Sequence, residues 1–124
     1  MIYYENGSAQ TSLSANDLKL GLFEALEKLG EKKKVIAVPP DYTRLPSRAG
    51  ELTEFAWQYY GKKLTDILPA LGTHSPMTEV QISHMFGETP KNLFRVHDWR
   101  NDVITLGTVP SEYVKEVSGG AVDY

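Results

Sequence analysis

The sequence predicts an α/β fold: a mostly parallel sheet with flanking helices, Rossmann-like, in a single partial domain spanning residues 1–124. Three observations predict it. A short apolar run without alternation occurs at 35–38, and a second strand is expected at about 64–68. Stretches with apolar residues at helical spacing lie before, between and after them. The two kinds of segment alternate, as strands joined by helical crossovers do. Right-handed connections are expected.

Residues 1–15 are polar, with a short edge strand expected at 2–4. Asn16 is the expected cap of a helix that starts at Asp17. Leu18, Leu22, Leu26 and Leu29 fall on one face of it, and Glu24 can pair with Lys28. Gly30 suits its end, because a left-handed residue commonly closes a helix. Val35-Ile36-Ala37-Val38 reads as a strand buried on both faces. Pro39-Pro40 stops it, since proline has no N–H for the ladder. Residues 41–46 are then a loop, and a second helix is expected at 47–60. Leu52, Phe55, Ala56 and Tyr59 form its buried stripe, and Gly61 ends it.

The next strand is expected at 64–68, with Pro69 behind it. The turn Gly72-Thr73-His74-Ser75-Pro76 leads into a third helix. Thr78 and Gln81 are spaced as a capping box, and Met77 with Ile82 as a hydrophobic staple. Ile82, Met85 and Phe86 face the core, and Gly87 closes the helix. Two more strands are expected at 93–97 and 103–106. A helical turn at 111–117 is broken by Gly119-Gly120.

Composition narrows the function. A chain of 124 residues suits one domain with a modest core. Hydrophobic residues at 41% and charged residues at 23% suit a soluble globular protein. A net charge of -3 without a basic patch gives no footprint for nucleic acid. Lys32-Lys33-Lys34 lies beside Glu27 and Glu31 and reads as a solvated lead-in to a strand. The lack of cysteine excludes disulfides, thiolate metal sites and thiol nucleophiles. No segment approaches the about 20 apolar residues of a membrane span. The start has no signal-peptide pattern. A cytoplasmic location is expected.

In open parallel sheets, ligands bind beyond the C-terminal strand ends. Asp41-Tyr42-Thr43-Arg44 follows the first strong strand, and Gly72-Thr73-His74-Ser75-Pro76 follows the second. If the strands are neighbours, Asp41, Arg44 and His74 share one site. Arg44 offers a fork for a carboxylate or phosphate. Asp41 can orient a cation, a hydroxyl or a ring N–H. His74 can take and return a proton near neutral pH. Gly72 lets the backbone turn sharply, and the following helix start presents N–H groups to an anion. Plainer alternatives stand beside each role. Asp41 can form an Asx-turn, Arg44 a surface ion pair, and His74 a turn contact with backbone. His74, His84 and His97 lack compact metal-ligand spacing, so no metal ligand is assigned. His84 reads as a helix-surface residue. His97-Asp98 reads as a strand-end structural pair.

The same residues resemble the lactate racemase family. Pro40-Asp41-Tyr42-Thr43-Arg44 is similar to its Asp-x-Thr-Arg loop. Ala70-Leu71-Gly72-Thr73-His74-Ser75-Pro76-Met77-Thr78 is similar to its Ala-Leu-Gly-Thr-His-Arg-Pro-Met-Thr segment. His97-Asp98 and Gly107-Thr108 follow in the family's order. The match runs from about Val35 to Thr108. Ser75 replaces an Arg common in the family and removes one anion-binding group; Leu45 stands where Pro is usual.

The resemblance implies an isomerase, a racemase or epimerase of small 2-hydroxy acids. Its cofactor is a nickel-pincer nucleotide that accepts and returns a hydride, while two histidines move the hydroxyl proton. His74 matches the first of these histidines. Arg44 and Asp41 match substrate-binding positions, and Asp41 and Thr73 cofactor-binding ones. The family's second His, tethering Lys and nickel-ligating His fall in a later stretch that Ser118-Gly119-Gly120 does not match. A truncated, inactive portion without bound cofactor is therefore expected, whose partner is the remainder of the enzyme or a second copy. Two alternatives remain: a non-catalytic α/β module binding an anion or a partner, and a metal-free epimerase using His74 and His97.

Overall fold

Ser14 opens the first helix, α1 (Ala15–Leu29). Its hydroxyl accepts from the Asp17 N–H, and the Asp17 carboxylate accepts from the Ser14 N–H at 2.9 Å. This reciprocal cap sets the start two residues ahead of the expected one, with Asn16 inside the first turn. A computed structural model describes residues 1–124 and gives a mixed α/β unit. Two strands, β1 (Val35–Ala37) and β2 (Leu64–Ile67), pair in parallel, with Val35 opposite Leu64 and Ala37 opposite Ile67. The crossover runs through a 3₁₀ turn at Tyr42–Ser47 and α2 (Ala49–Tyr60). α3 (Glu79–Phe86) and α4 (Ser111–Val117) follow.

α2 packs on β2, and α1 and α3 pack on α2. Leu64, Ile67 and Phe86 are fully enclosed, and Phe55, Leu71 and Met85 complete the core. Phe86 meets Phe94 edge-on at 4.9 Å between ring centres. α1 and α2 join through Phe23 and Tyr59, 5.1 Å apart. α2 and α3 meet closely at Gly50. A Cβ at Gly50 would strike the Met85 carbonyl oxygen, so only glycine fits there. Thr78 and Gln81 form the expected capping box of α3.

Several expectations are corrected. Residues 2–4 form no strand; the Tyr4 ring rests on Gly21 of α1 instead. The loop after Pro40 is the 3₁₀ turn, and α2 begins at Ala49 because Arg48 is left-handed at φ 60. β1 is not buried on both faces. Successive side chains point to opposite faces, and Ile36 and Val38 are 55% and 60% exposed.

Residues 93–97 do not make a third strand. A 3₁₀ turn at Lys91–Leu93 leads to a single bridge, Ile67 with Phe94. There the Arg95 N–H donates to the Ile67 carbonyl at 2.8 Å. The next bond of that parallel ladder needs an N–H from Pro69, which has none. Residues 103–106 form no strand either; Val103, Ile104 and Leu106 stand in solvent.

A folded protein of this mass exposes about 6,700 Å². This chain exposes 9105 Å². Val103, Ile104, Leu106, Val109, Tyr113 and Val117 are among the exposed apolar residues. No helix is long and apolar enough to cross a membrane.

Candidate functional site

The two strands leave the sheet side by side. The Leu68 N–H donates to the Ala37 carbonyl at 2.9 Å, and the Ala70 N–H to the Pro39 carbonyl at 2.8 Å. A last bridge joins Pro40 to Ala70. Asp41 follows one end of that bridge, and the turn with His74 follows the other. The second turn is tight: Gly72 takes φ 57, and the His74 N–H donates back to the Leu71 carbonyl at 3.0 Å. The loops therefore converge, as neighbouring strands require. Asp41 Oδ2 and His74 Nδ1 lie 2.6 Å apart.

Asp41 is buried and well held. Its Oδ1 accepts from the Thr43 hydroxyl at 2.6 Å and from the Thr43 N–H at 3.2 Å. The Thr43 hydroxyl is the main cause that keeps this carboxyl below its ordinary range. Burial opposes it, and the His74 bond adds to it. An ionised carboxylate only accepts hydrogen bonds, so His74 Nδ1 carries the proton. In the neutral ring Nε2 then holds the lone pair. No group of the chain bonds to Nε2, and the side chain is half exposed. A buried acid thus fixes the tautomer and aim of an accessible base. The Asx-turn reading of Asp41 is also correct: one oxygen serves the turn, the other the histidine.

Arg44 lies on the same turn and is exposed. No carboxylate pairs with it, and its one side-chain contact is Thr43 Oγ1 at 3.5 Å. Its guanidinium is open to an anion. Thr73 is exposed on the histidine turn, with no hydrogen bond from its hydroxyl within the chain. The start of α3 is a poor anion seat. Its cap already takes the Gln81 N–H, and Glu79 brings a negative charge.

His97 makes no hydrogen bond to Asp41 or His74. Its Nδ1 is enclosed without a partner. Asp98 caps the backbone of Arg100 and Asn101 instead of bonding the ring. No group of three or more metal-binding side chains comes together. A cleft of about 170 Å³ lies beside the histidine turn, between Leu71, Pro76, Met77, Ile82 and Phe94. A larger concavity, about 690 Å³, sits at the other end of β2 by Trp57, with Lys62 as its sole charge.

Two features escaped the sequence. Thr43 holds the acid, a role its spacing two residues after Asp41 could have suggested. Tyr42 Oη and His84 Nδ1 are 2.7 Å apart, a pairing with no signal in sequence spacing.

No family model matches the chain, and no curated protein matches it. It is similar to a solved structure of a protein from Thermotoga maritima, with 27% identity and a TM-score of 0.69. The likeness covers 90% of this chain and 28% of that one, so the chain spans just over a quarter of that protein's length.

Proposed function

We propose that the chain is the N-terminal catalytic portion of a cytoplasmic racemase or epimerase of 2-hydroxy acids, built as a Rossmann-like unit. The observation that carries this is the 2.6 Å bond from His74 to buried Asp41 at the ends of paired parallel strands. It supplies a base of fixed tautomer with a free nitrogen. The two motifs that resemble the lactate racemase family supply both of its residues.

In this reading Arg44 takes the substrate carboxylate as a bidentate ion pair. That sets the 2-hydroxyl against His74 Nε2, which removes the hydroxyl proton. Asp41 supports the imidazolium so formed. The resemblance implies a nickel-pincer nucleotide, which would supply the hydride exchange at the substrate carbon that makes and reverses a 2-keto acid. The residues present do not fit a seat for its metal, because no three ligand side chains converge. The steps assigned to this chain are therefore proton transfer and anion orientation alone. Asp41 is already committed to Thr43 and His74, which leaves Thr73 as the free polar group for a cofactor.

The second base and the cofactor tether are assigned to residues outside these 124. The test is conversion between enantiomers of a panel of 2-hydroxy acids by this chain within the whole enzyme. His74→Ala is expected to lower turnover about 10²- to 10⁴-fold with folding unchanged. Near-normal turnover removes His74 from the mechanism. Stoichiometric nickel and racemisation by the chain alone would sink the divided site. A second reading, a non-catalytic module that binds an anion or a partner, draws on unpaired Arg44 and the exposed apolar surface. Anion binding lost in Arg44→Ala, with no turnover in any assembly, would favour it.

A further inference from the structure

Adjacent residues of one turn hold two histidines that lie ten positions apart. Asp41 bonds His74, and Tyr42 bonds His84. These are the two side-chain hydrogen bonds that tie Tyr42–Ser47 and its cap, Asp41, to the segment from Gly72 to Phe86. The turn needs such ties. Arg44 departs from helical geometry at φ -107, ψ 24, and Pro46 donates no bond. The histidine turn is equally spare, hanging between buried Leu71 and the capped start of α3.

We propose that Tyr42 and His84 are positioning residues for His74. Their bond seats the turn on α3, and so sets where the Asp41 carboxylate meets the imidazole. The rings lie 5.8 Å apart at 50°, so the hydroxyl contact and the ring contact act together. His84 itself is exposed, on the outer side of α3. It does not touch the His74 ring or any group bonded to it, and it works through Tyr42. Either partner can be the donor of that bond. This inference deepens the acid–base reading of His74 and rests on the Asp41–His74 bond.

Imidazole nitrogen NMR on the 124-residue chain tests it without any assay of turnover. Wild type is expected to show His74 as the Nδ1–H tautomer. Tyr42→Phe removes one oxygen and keeps the ring; His84→Leu removes the nitrogen from an exposed site. Both are expected to lose the Nδ1–H signature of His74 while the backbone spectrum of β1, β2 and α2 stays in place. His84→Asn puts an amide near the former Nδ1 and is expected to restore it. An unchanged His74 signature in both Tyr42→Phe and His84→Leu overturns the positioning role and leaves the base intact. Absence of the signature in wild type overturns the Asp41–His74 pairing, and with it both readings. Retained signature but no turnover in any assembly strikes the proposed function alone.

Discussion

Residues 15–95 and residues 96–124 have similar sequence patterns and different fates. Every buried side chain lies in the first stretch, between Gly21 and Thr89. The second has apolar residues enough for a strand and a helix face: Val103, Ile104, Leu106, Val109, Tyr113 and Val117. All of them are exposed. The run at 103–106 reads in sequence much as 64–67 does. β2 has β1 on one edge and helices around it; 103–106 has neither. An apolar run becomes a strand when a neighbour accepts its backbone bonds and a second layer covers it. The sequence can specify the run, but not the neighbour.

Four experiments can break that comparison. The largest effect is expected inside the core. Phe86→Ala should cost about 3–5 kcal/mol of unfolding free energy, read from a urea midpoint. A loss under 1 kcal/mol would mean that the packing around β2 does not carry the fold. Next is Asp41→Asn, which leaves Thr43 and His74 facing a neutral amide. It should cost about 1.5–3 kcal/mol near neutral pH. The Asp41 pKa is depressed in the folded chain. Its stabilisation is therefore complete above the unfolded value, about 3.9, and is lost as pH falls through the lower folded value. The gap between wild type and Asp41→Asn should close below about pH 4. A gap that persists in acid would show that charge is not the cause.

The smallest effect belongs to the second region. Leu106→Ser should change stability by no more than about 0.5 kcal/mol. Amide exchange over residues 96–124 should be fast throughout, α4 included, since seven-residue helices are marginal without packing. Slow exchange there, or a large loss from Leu106→Ser, would mean that the region is covered in solution.

What could be read in advance follows the same divide. Local signals were sufficient where local bonds decide: the Thr78–Gln81 box, the ends at Gly30 and Gly61, the stop at Pro39. Ser14–Asp17 forms the same reciprocal box, but Asn16 is as good a cap by residue type, and the choice turns on one hydrogen bond. The meeting of Asp41 and His74 was legible as topology, since neighbouring parallel strands must deliver their loops to one edge. The Tyr42–His84 bond was not, because it depends on how α3 lies across the turn. The failed strand at 93–97 was half legible. Pro69 marks the end of β2 in sequence, and its missing N–H also silences the far edge of the ladder.

The contact between Gly50 and Met85 makes remote volume a variable of the site. α3 lies where it does because position 50 has no side chain. One methyl group there would act as a wedge under the helix. The displacement would reach His84 directly, then Tyr42, then the angle at which Asp41 meets His74. A survey of substitutions scored only by activity would place Gly50 among the residues of the site, although it touches none of them.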